Sequence, residues 1–370
     1  LVPAAVQQAE NSRRRRASGG GFPFCGMAAL NNLRKSDMMG KYRKLPRQTP
    51  GGTARLTHRL SSINGNGGFL MRILNFGSLN IDYVYQVDHF VTPGETLRSL
   101  SLGRNCGGKG LNQSIALARA GMEVWHAGLI GPDGLFLRDE LHTSGVHTEF
   151  VHTVPESTGH AIIQIDKSGQ NCILLYSGAN YCLTREYIRD VLSHFSAGDA
   201  VILQNETNLV EFIIQEAAGR GMKIAFNAAP AQGNLLDMPL SLLSWLMVNE
   251  TEGEILTGEH EPDAVILRLT EEYPSAVHIL TLGKHGSIAA HGSEVIRVPA
   301  VPVDALDTTA AGDTFTGFFM RGALDGRPLE ECLRLATAAS AIAVTRSGAA
   351  ASIPSYPEAF AQYERAFRKS

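Results

Sequence analysis

Asp307-Thr308-Thr309-Ala310-Ala311-Gly312-Asp313-Thr314-Phe315 decides how this chain is read. Small residues run into an acid, and a helical pattern follows. Ala310, Ala311 and Gly312 leave backbone N–H groups uncovered. At a helix start those amides, with the helix dipole, favour an anion. Asp313 then places a carboxylate beside an anion site. A carboxylate repels a bound phosphate, so its position asks for a chemical reason. Taking a proton from a hydroxyl that attacks the phosphate is one. A small-residue helix start with an acid in its first turn is the plainer reading, and the stretch alone does not separate the two.

Outward from this stretch, apolar runs alternate with helical patterns. The spacing predicts strands over 73–78, 124–130, 200–204, 223–227, 245–248 and 277–282. It predicts helices over 135–141, 210–218, 312–324, 329–344 and 357–367, and one from Gly110 to a stop at Gly121. Residues 83–90 and 96–102 read as strands on either side of a Pro93-Gly94-Glu95 turn, with further short strands over 151–154, 160–166 and 172–176. Such alternation argues for an α/β class with a parallel sheet covered on both faces. Ligands bind such sheets beyond the carboxyl ends of the strands.

The 370 residues are 44% hydrophobic, enough for one large core or two modest ones. The net charge of −3 is unevenly spread: residues 1–70 carry +10, leaving −13 for the remainder. An acidic body gives no reason to expect nucleic acid as a partner. Residues 1–70 hold Arg13 to Arg16, a Gly19-Gly20-Gly21 run and no sustained periodicity. They read as a basic, low-complexity leader, either not native to the mature protein (with Met71 as the natural start), or a transit peptide, or a functional basic arm. Disorder is expected there. The domain proper is expected over 71–370. Five scattered cysteines without a C-x-x-C pair fit reduced thiols in the cytoplasm. No apolar run approaches a membrane span.

Several residues could do chemistry. Asn80 and Asp82 follow the first strand and could hold sugar hydroxyls, or could merely form an Asx turn. Gly107-Gly108-Lys109-Gly110-Leu111-Asn112 sets glycines before a helix with Lys109 and Asn112 on its first turn, and its spacing fits neither a dinucleotide fingerprint nor a P-loop. Glu206 is another acid at a strand end. Asn249 and Glu252, three apart at a helix start, could hold the water shell of Mg²⁺, form a capping box, or do both. Thr281-Leu282-Gly283-Lys284-His285-Gly286 is a Gly-bracketed strand end suited to nucleotide phosphates. His142 and His147 lack metal-ligand spacing and read as surface or packing residues.

The opening stretch resembles the carboxyl-terminal signature of the ribokinase-like (PfkB) carbohydrate kinase family, and Gly107 to Ser114 resembles its amino-terminal signature. The resemblance extends over 71–370 and includes Gly178-Ala179-Asn180 and Ser157-Thr158-Gly159. It implies a three-layer α/β/α sandwich with a small β-sheet lid, its strands at about 83–103 and 159–176, which commonly also forms a homodimer. It implies a kinase using ATP, Mg²⁺ and a monovalent cation, usually K⁺. D-ribose phosphorylated at its 5-hydroxyl is the expected substrate, with fructose, deoxyribose, 2-keto-3-deoxygluconate or a nucleoside as alternatives. Asp313 would be the base, and the amides of Ala310, Ala311, Gly312 and Asp313 the anion hole. Asn80, Asp82, Gly108, Lys109, Asn112 and Glu206 would bind sugar, with Ala161 and Ile163 lining the pocket. Asn249 and Glu252 would act near Mg²⁺, and Thr281, Gly283, Gly286 and Gly312 near the nucleotide. Asp307, Thr309, Ala343, Arg346, Gly348 and Ser352 match the K⁺ site. Leu111 departs from the alanine usual beside the sugar. A non-catalytic sugar-binding regulator would be expected to lack Gly312 or Asp313, and both are present.

Overall fold

Runs such as Ile73–Phe76, Val124–Ile130 and Ala200–Gln204 are buried throughout, which requires cover on both faces. The computed structural model describes residues 71–231 and 235–368, so the expectations for 1–70 lie outside the described residues. The strands are β1 (Ile73–Phe76), β2 (Asn80–Gln86), β3 (Ser101–Gly107), β4 (Val124–Ile130), β5 (His147–Thr153), β6 (Gly159–Ile165), β7 (Asn171–Tyr176), β8 (Ala200–Gln204), β9 (Lys223–Asn227), β10 (Trp245–Asn249), β11 (Val277–Thr281), β12 (Ser287–His291) and β13 (Glu294–Val298).

The large sheet runs β13-β12-β11-β10-β9-β8-β1-β4-β5. It is parallel from β11 to β5, with β12 and β13 antiparallel at one edge. Strand alternation sorts side chains between two cores. Leu74, Phe76, Val201 and Leu203 face the core built with helices Arg185–Leu192, Val210–Gly219, Glu250–Thr257 and Pro262–Glu272. Ile73 and Ile202 face the other, built with Lys109–Arg119, Ala311–Leu324, Leu329–Ala343 and Tyr356–Phe367. Asn75 and Gln204 share that second face, so two polar side chains enter the layer from which the candidate site is built.

A separate four-stranded sheet, β3-β2-β6-β7, forms the lid. Its first hairpin differs from the expectation of strands over 83–90 and 96–102. Pairing begins at Asn80, opposite Gly107, and ends at Gln86, opposite Ser101. The Thr92 to Glu95 turn lies in the wide connection, held by its own side chains: Thr92 donates from N–H and Oγ1 to Glu95 Oε2, each at 3.0 Å. The turn signal was real but did not mark the hairpin's tip. Consequently Asn80 and Asp82, which lie just past β1 as expected, open a lid strand. The hairpin β12–β13 and helices Arg185–Leu192 and Pro262–Glu272 also went unread in the sequence.

Candidate active site

Parallel strands all point their carboxyl ends at one edge, and polar residues collect there. Ser78 follows β1, Glu206 follows β8, and Asn227, Asn249 and Thr281 end β9, β10 and β11. The helices Lys109–Arg119 and Ala311–Leu324 start at the same edge. They approach closely because Gly317 lies against Ala116: a Cβ on Gly317 would come within 2.5 Å of Ala116 Cβ.

Helix Ala311–Leu324 follows Ala310, which takes the left-handed conformation at φ 59°, and no side chain caps its start. The Ala311 N–H donates to the Thr308 carbonyl at 3.3 Å. Among the described residues no acceptor is found for the N–H groups of Gly312 and Asp313. The Ala310 N–H likewise has none among the described residues, so three of the four expected anion-hole amides stay free and only that of Ala311 is engaged. Asp313 is buried, and both its oxygens are held: Asn112 Nδ2 donates to Oδ2 at 3.0 Å and Gln113 Nε2 to Oδ1 at 2.9 Å. Asn112 Oδ1 is buried without a partner, an acceptor free for a hydroxyl.

Beside this base the lid contributes Asn80 and Asp82. Asn180 Nδ2 donates to Asn80 Oδ1 at 2.8 Å, while Asn180 Oδ1 accepts the Leu79 N–H at 2.9 Å, so Asn80 is fixed before any ligand arrives. Ala161 pairs with Asp82, and Ile163 lies two residues on, on the same lid face. Glu206 accepts from the Ser78 hydroxyl and from the Lys109 N–H, the latter at 3.0 Å. Gly108 immediately precedes this helix at φ 94°.

Burial, and secondarily the charge of Glu206, pushes Asp82 up to about 7. Burial likewise raises Glu206, against the pull of Lys109 and the Ser78 hydrogen bond. For Lys109 burial opposes the charged form, but Asp313, Glu206 and Glu252 together outweigh it and hold the ammonium above the ordinary lysine range. The site is an ammonium surrounded by carboxylates.

A cavity of about 190 Å³ joins Lys109, Asn249, Glu252, Thr281, Gly312 and Asp313. Asn249 and Glu252 do form a capping box: the Glu252 N–H donates to Asn249 Oδ1 at 2.9 Å, and the Asn249 N–H to Glu252 Oε2 at 2.8 Å. Glu252 keeps a second oxygen, and burial holds the carboxyl above its ordinary range. A buried carboxylate beside an exposed amide oxygen, both at the cavity, is a donor pair that fits a hydrated Mg²⁺. Gly283 and Gly286 do not line this cavity. Gly286, at φ 100°, packs on β13, where a Cβ would come within 2.1 Å of the Val298 carbonyl oxygen.

Behind the helix start, Asp307 accepts N–H groups from Thr309 and Gly348, each at 2.9 Å. Burial works against its charge, yet these bonds prevail and keep it below the usual carboxylate range. The Arg346 guanidinium turns away to Glu358 at 2.6 Å, and its N–H meets the Ala343 carbonyl at 3.1 Å. The Ser352 hydroxyl, fully buried, donates to the Ala349 carbonyl at 2.8 Å. Asp307 is thus tied by two backbone bonds to Thr309 and Gly348, two of the other residues expected at the K⁺ site.

A larger surface cavity of about 580 Å³ at edge strand β5 is lined by Arg138, His142, His147 and Glu149, and shares no residue with the strand-end cluster. His147 stacks on Trp125, a packing role. Sequence reading missed Asn75, Ser78, Gln113, Asn180 and Gln204. Two of these carried a legible signal: Asn75 and Gln204 interrupt or end otherwise apolar strands, and buried amides demand partners.

Residues 71–356 match the family model for pfkB family carbohydrate kinases. The ribokinase of Haemophilus influenzae is 38% identical over 299 residues, spanning 78% of this chain and 97% of its own. Among solved structures, ribokinase from Cryptococcus neoformans var. grubii in complex with ADP is 34% identical with a TM-score of 0.70, covering 79% of this chain and 99% of its own. Arabidopsis thaliana ribokinase complexed with ribose and ATP is 26% identical with a TM-score of 0.71, covering 80% and 99%.

Proposed function

Because the chain belongs to the PfkB family of carbohydrate kinases, we propose that it transfers the γ-phosphoryl group of ATP to the 5-hydroxyl of D-ribose. One observation carries this reading. The Asp313 carboxylate, gripped by two amides, borders the cavity that also holds Lys109 and the start of an uncapped helix. Asp313 takes the proton of the primary hydroxyl as that oxygen bonds to the γ-phosphorus. The bond to the β,γ-bridging oxygen breaks, and ADP leaves with its electron pair. The free N–H groups of Ala310, Gly312 and Asp313, backed by the helix dipole, receive the equatorial oxygens. Asn80, Asp82, Asn112 and Glu206 orient the sugar, against a wall of Ala161 and Ile163. Thr281 serves the nucleotide side, with Gly283 and Gly286 shaping its loop.

Asn249 and Glu252 would hold Mg²⁺, which would neutralise phosphate charge when bound. Asp307, Thr309, Ala343, Arg346, Gly348 and Ser352 would hold K⁺, which would supply a fixed positive charge near the anion-binding helix start. The lid makes a homodimer. On the face that carries Asp82, Ile173 and Leu175 are 56% and 41% exposed, an apolar surface that a second lid would cover. No helix of the described residues is long and apolar enough to cross a membrane. The described cysteines are free thiols, consistent with a cytoplasmic setting.

A coupled ADP-release assay over a sugar panel tests the assignment. D-ribose is expected to give the highest kcat/KM. Equal or better turnover of fructose, 2-deoxyribose, 2-keto-3-deoxygluconate or a nucleoside would reassign the substrate within the family.

A further inference from the structure

Gln113 is fully buried and lines neither cavity described above, yet it donates to the candidate base. What fixes its direction can be followed inward. Asn75 Nδ2 donates to the Gly110 carbonyl at 2.9 Å and to Ser114 Oγ at 2.8 Å. A carbonyl can only accept, so the Asn75 amide cannot flip, and its Oδ1 must point the other way. Gln204 Nε2 donates to that Oδ1 at 3.0 Å and to Gln113 Oε1 at 2.7 Å. Gln113 Oε1 is thereby committed as an acceptor, and its Nε2 is left facing Asp313 Oδ1 at 2.9 Å. All three amides are at most 1% exposed, so water offers no alternative partner.

We infer that the series Asn75, Gln204 and Gln113 is a positioning relay, anchored on the Gly110 carbonyl, that presents Asp313 with an N–H donor and denies it an acceptor. The inference rests on Asp313 being the base. A donor-only neighbour favours the ionised carboxylate and fixes its rotamer, while an uncharged amide avoids the loss of basicity that an arginine or lysine in contact would impose. Asn112 completes the grip from the other side but keeps a free oxygen for the sugar. Gln113 has no substrate to touch, so its effect should fall on turnover rather than binding.

The test is steady-state kinetics against pH for Gln113→Met and Gln204→Met, with Gln113→Glu as the near-isosteric variant. The expected result for Gln113→Met is a kcat lower by roughly 10- to 100-fold. KM values for sugar and ATP should stay within about threefold, and the acidic limb of kcat should move to higher pH. Gln204→Met should move the same quantities in the same direction by less. Gln113→Glu, which sets two carboxyls together, should move the acidic limb furthest. Other charges facing Asp313 are Lys109 and Glu206, and no variant alters them. If Gln113→Met does not fold, the other two variants carry the same readout. Lower thermal stability with an unchanged acidic limb and unchanged kcat per folded molecule would overturn the relay. Asp313→Asn run in parallel separates the two levels. Near-normal turnover there refutes the base itself, whereas abolished turnover beside a silent Gln113 refutes only the relay.

Discussion

Asp82 shows how the placement of single residues sets behaviour. The fold raises its pKa from 3.8 to about 7, through burial and then the charge of Glu206. A raised carboxyl contributes stability that is complete below its unfolded value and is lost as pH rises through 7. Sugar binding should show the opposite slope, because the ionised form accepts hydroxyl protons better. The KM for ribose is expected to fall between pH 6 and 7.5 and then level, by at most about tenfold per unit, and Asp82→Asn should flatten the profile at a higher KM. A wild-type KM that is flat over this range would contradict the role. The sequence displayed Asp82, Asn80 and Glu206 as acids and amides near strand ends. It did not display the proximity that couples two of them, since that depends on the register of β2 against β3 and β6. The same limit hid Asn180, which locks Asn80 from one hundred residues away.

At the level of elements, the site depends on two helices meeting at their amino ends. The contact of Gly317 with Ala116 sets how closely Ala311–Leu324 lies on Lys109–Arg119, and hence whether Asp313 reaches Asn112 and Gln113. Gly317→Ala should force these helices apart, lowering stability by about 1–3 kcal/mol and reducing kcat more than it raises KM. Thermal denaturation and kinetics of this variant check both, and an unperturbed enzyme would show that the spacing is not critical. Both helices were legible as elements, because each combines a glycine or alanine start with a periodic apolar face. Their crossing was not, because a glycine at 317 reads only as a weak helix former until its neighbour is known. The lid hairpin failed for a related reason. Its turn signal, Pro93-Gly94-Glu95, is satisfied locally by Thr92 and Glu95, while pairing is set by the approach of Gly107 to Asn80.

For the whole molecule, the large sheet supplies a rigid row of strand ends, and the smaller sheet supplies the part that can cover them. The smaller sheet leaves Ile173 and Leu175 exposed on the face that carries Asp82, which is costly for a monomer in water and natural for paired sheets. Ile173→Glu combined with Leu175→Glu should convert a dimer to a monomer in light scattering, with a raised KM for ribose as the pocket loses cover. A wild-type monomer would remove the lid from the assembly account.

Catalysis by this site rests on the proton taken by Asp313. Its most direct test pairs calorimetric ribose binding with turnover for Asp313→Asn, in saturating ATP and Mg²⁺ with K⁺ present. The expected result is ribose affinity within a fewfold of the unaltered protein and a kcat lower by about two to four orders of magnitude. A near-normal kcat would contradict the assignment of the base, and with it the reason an acid sits beside a phosphate site.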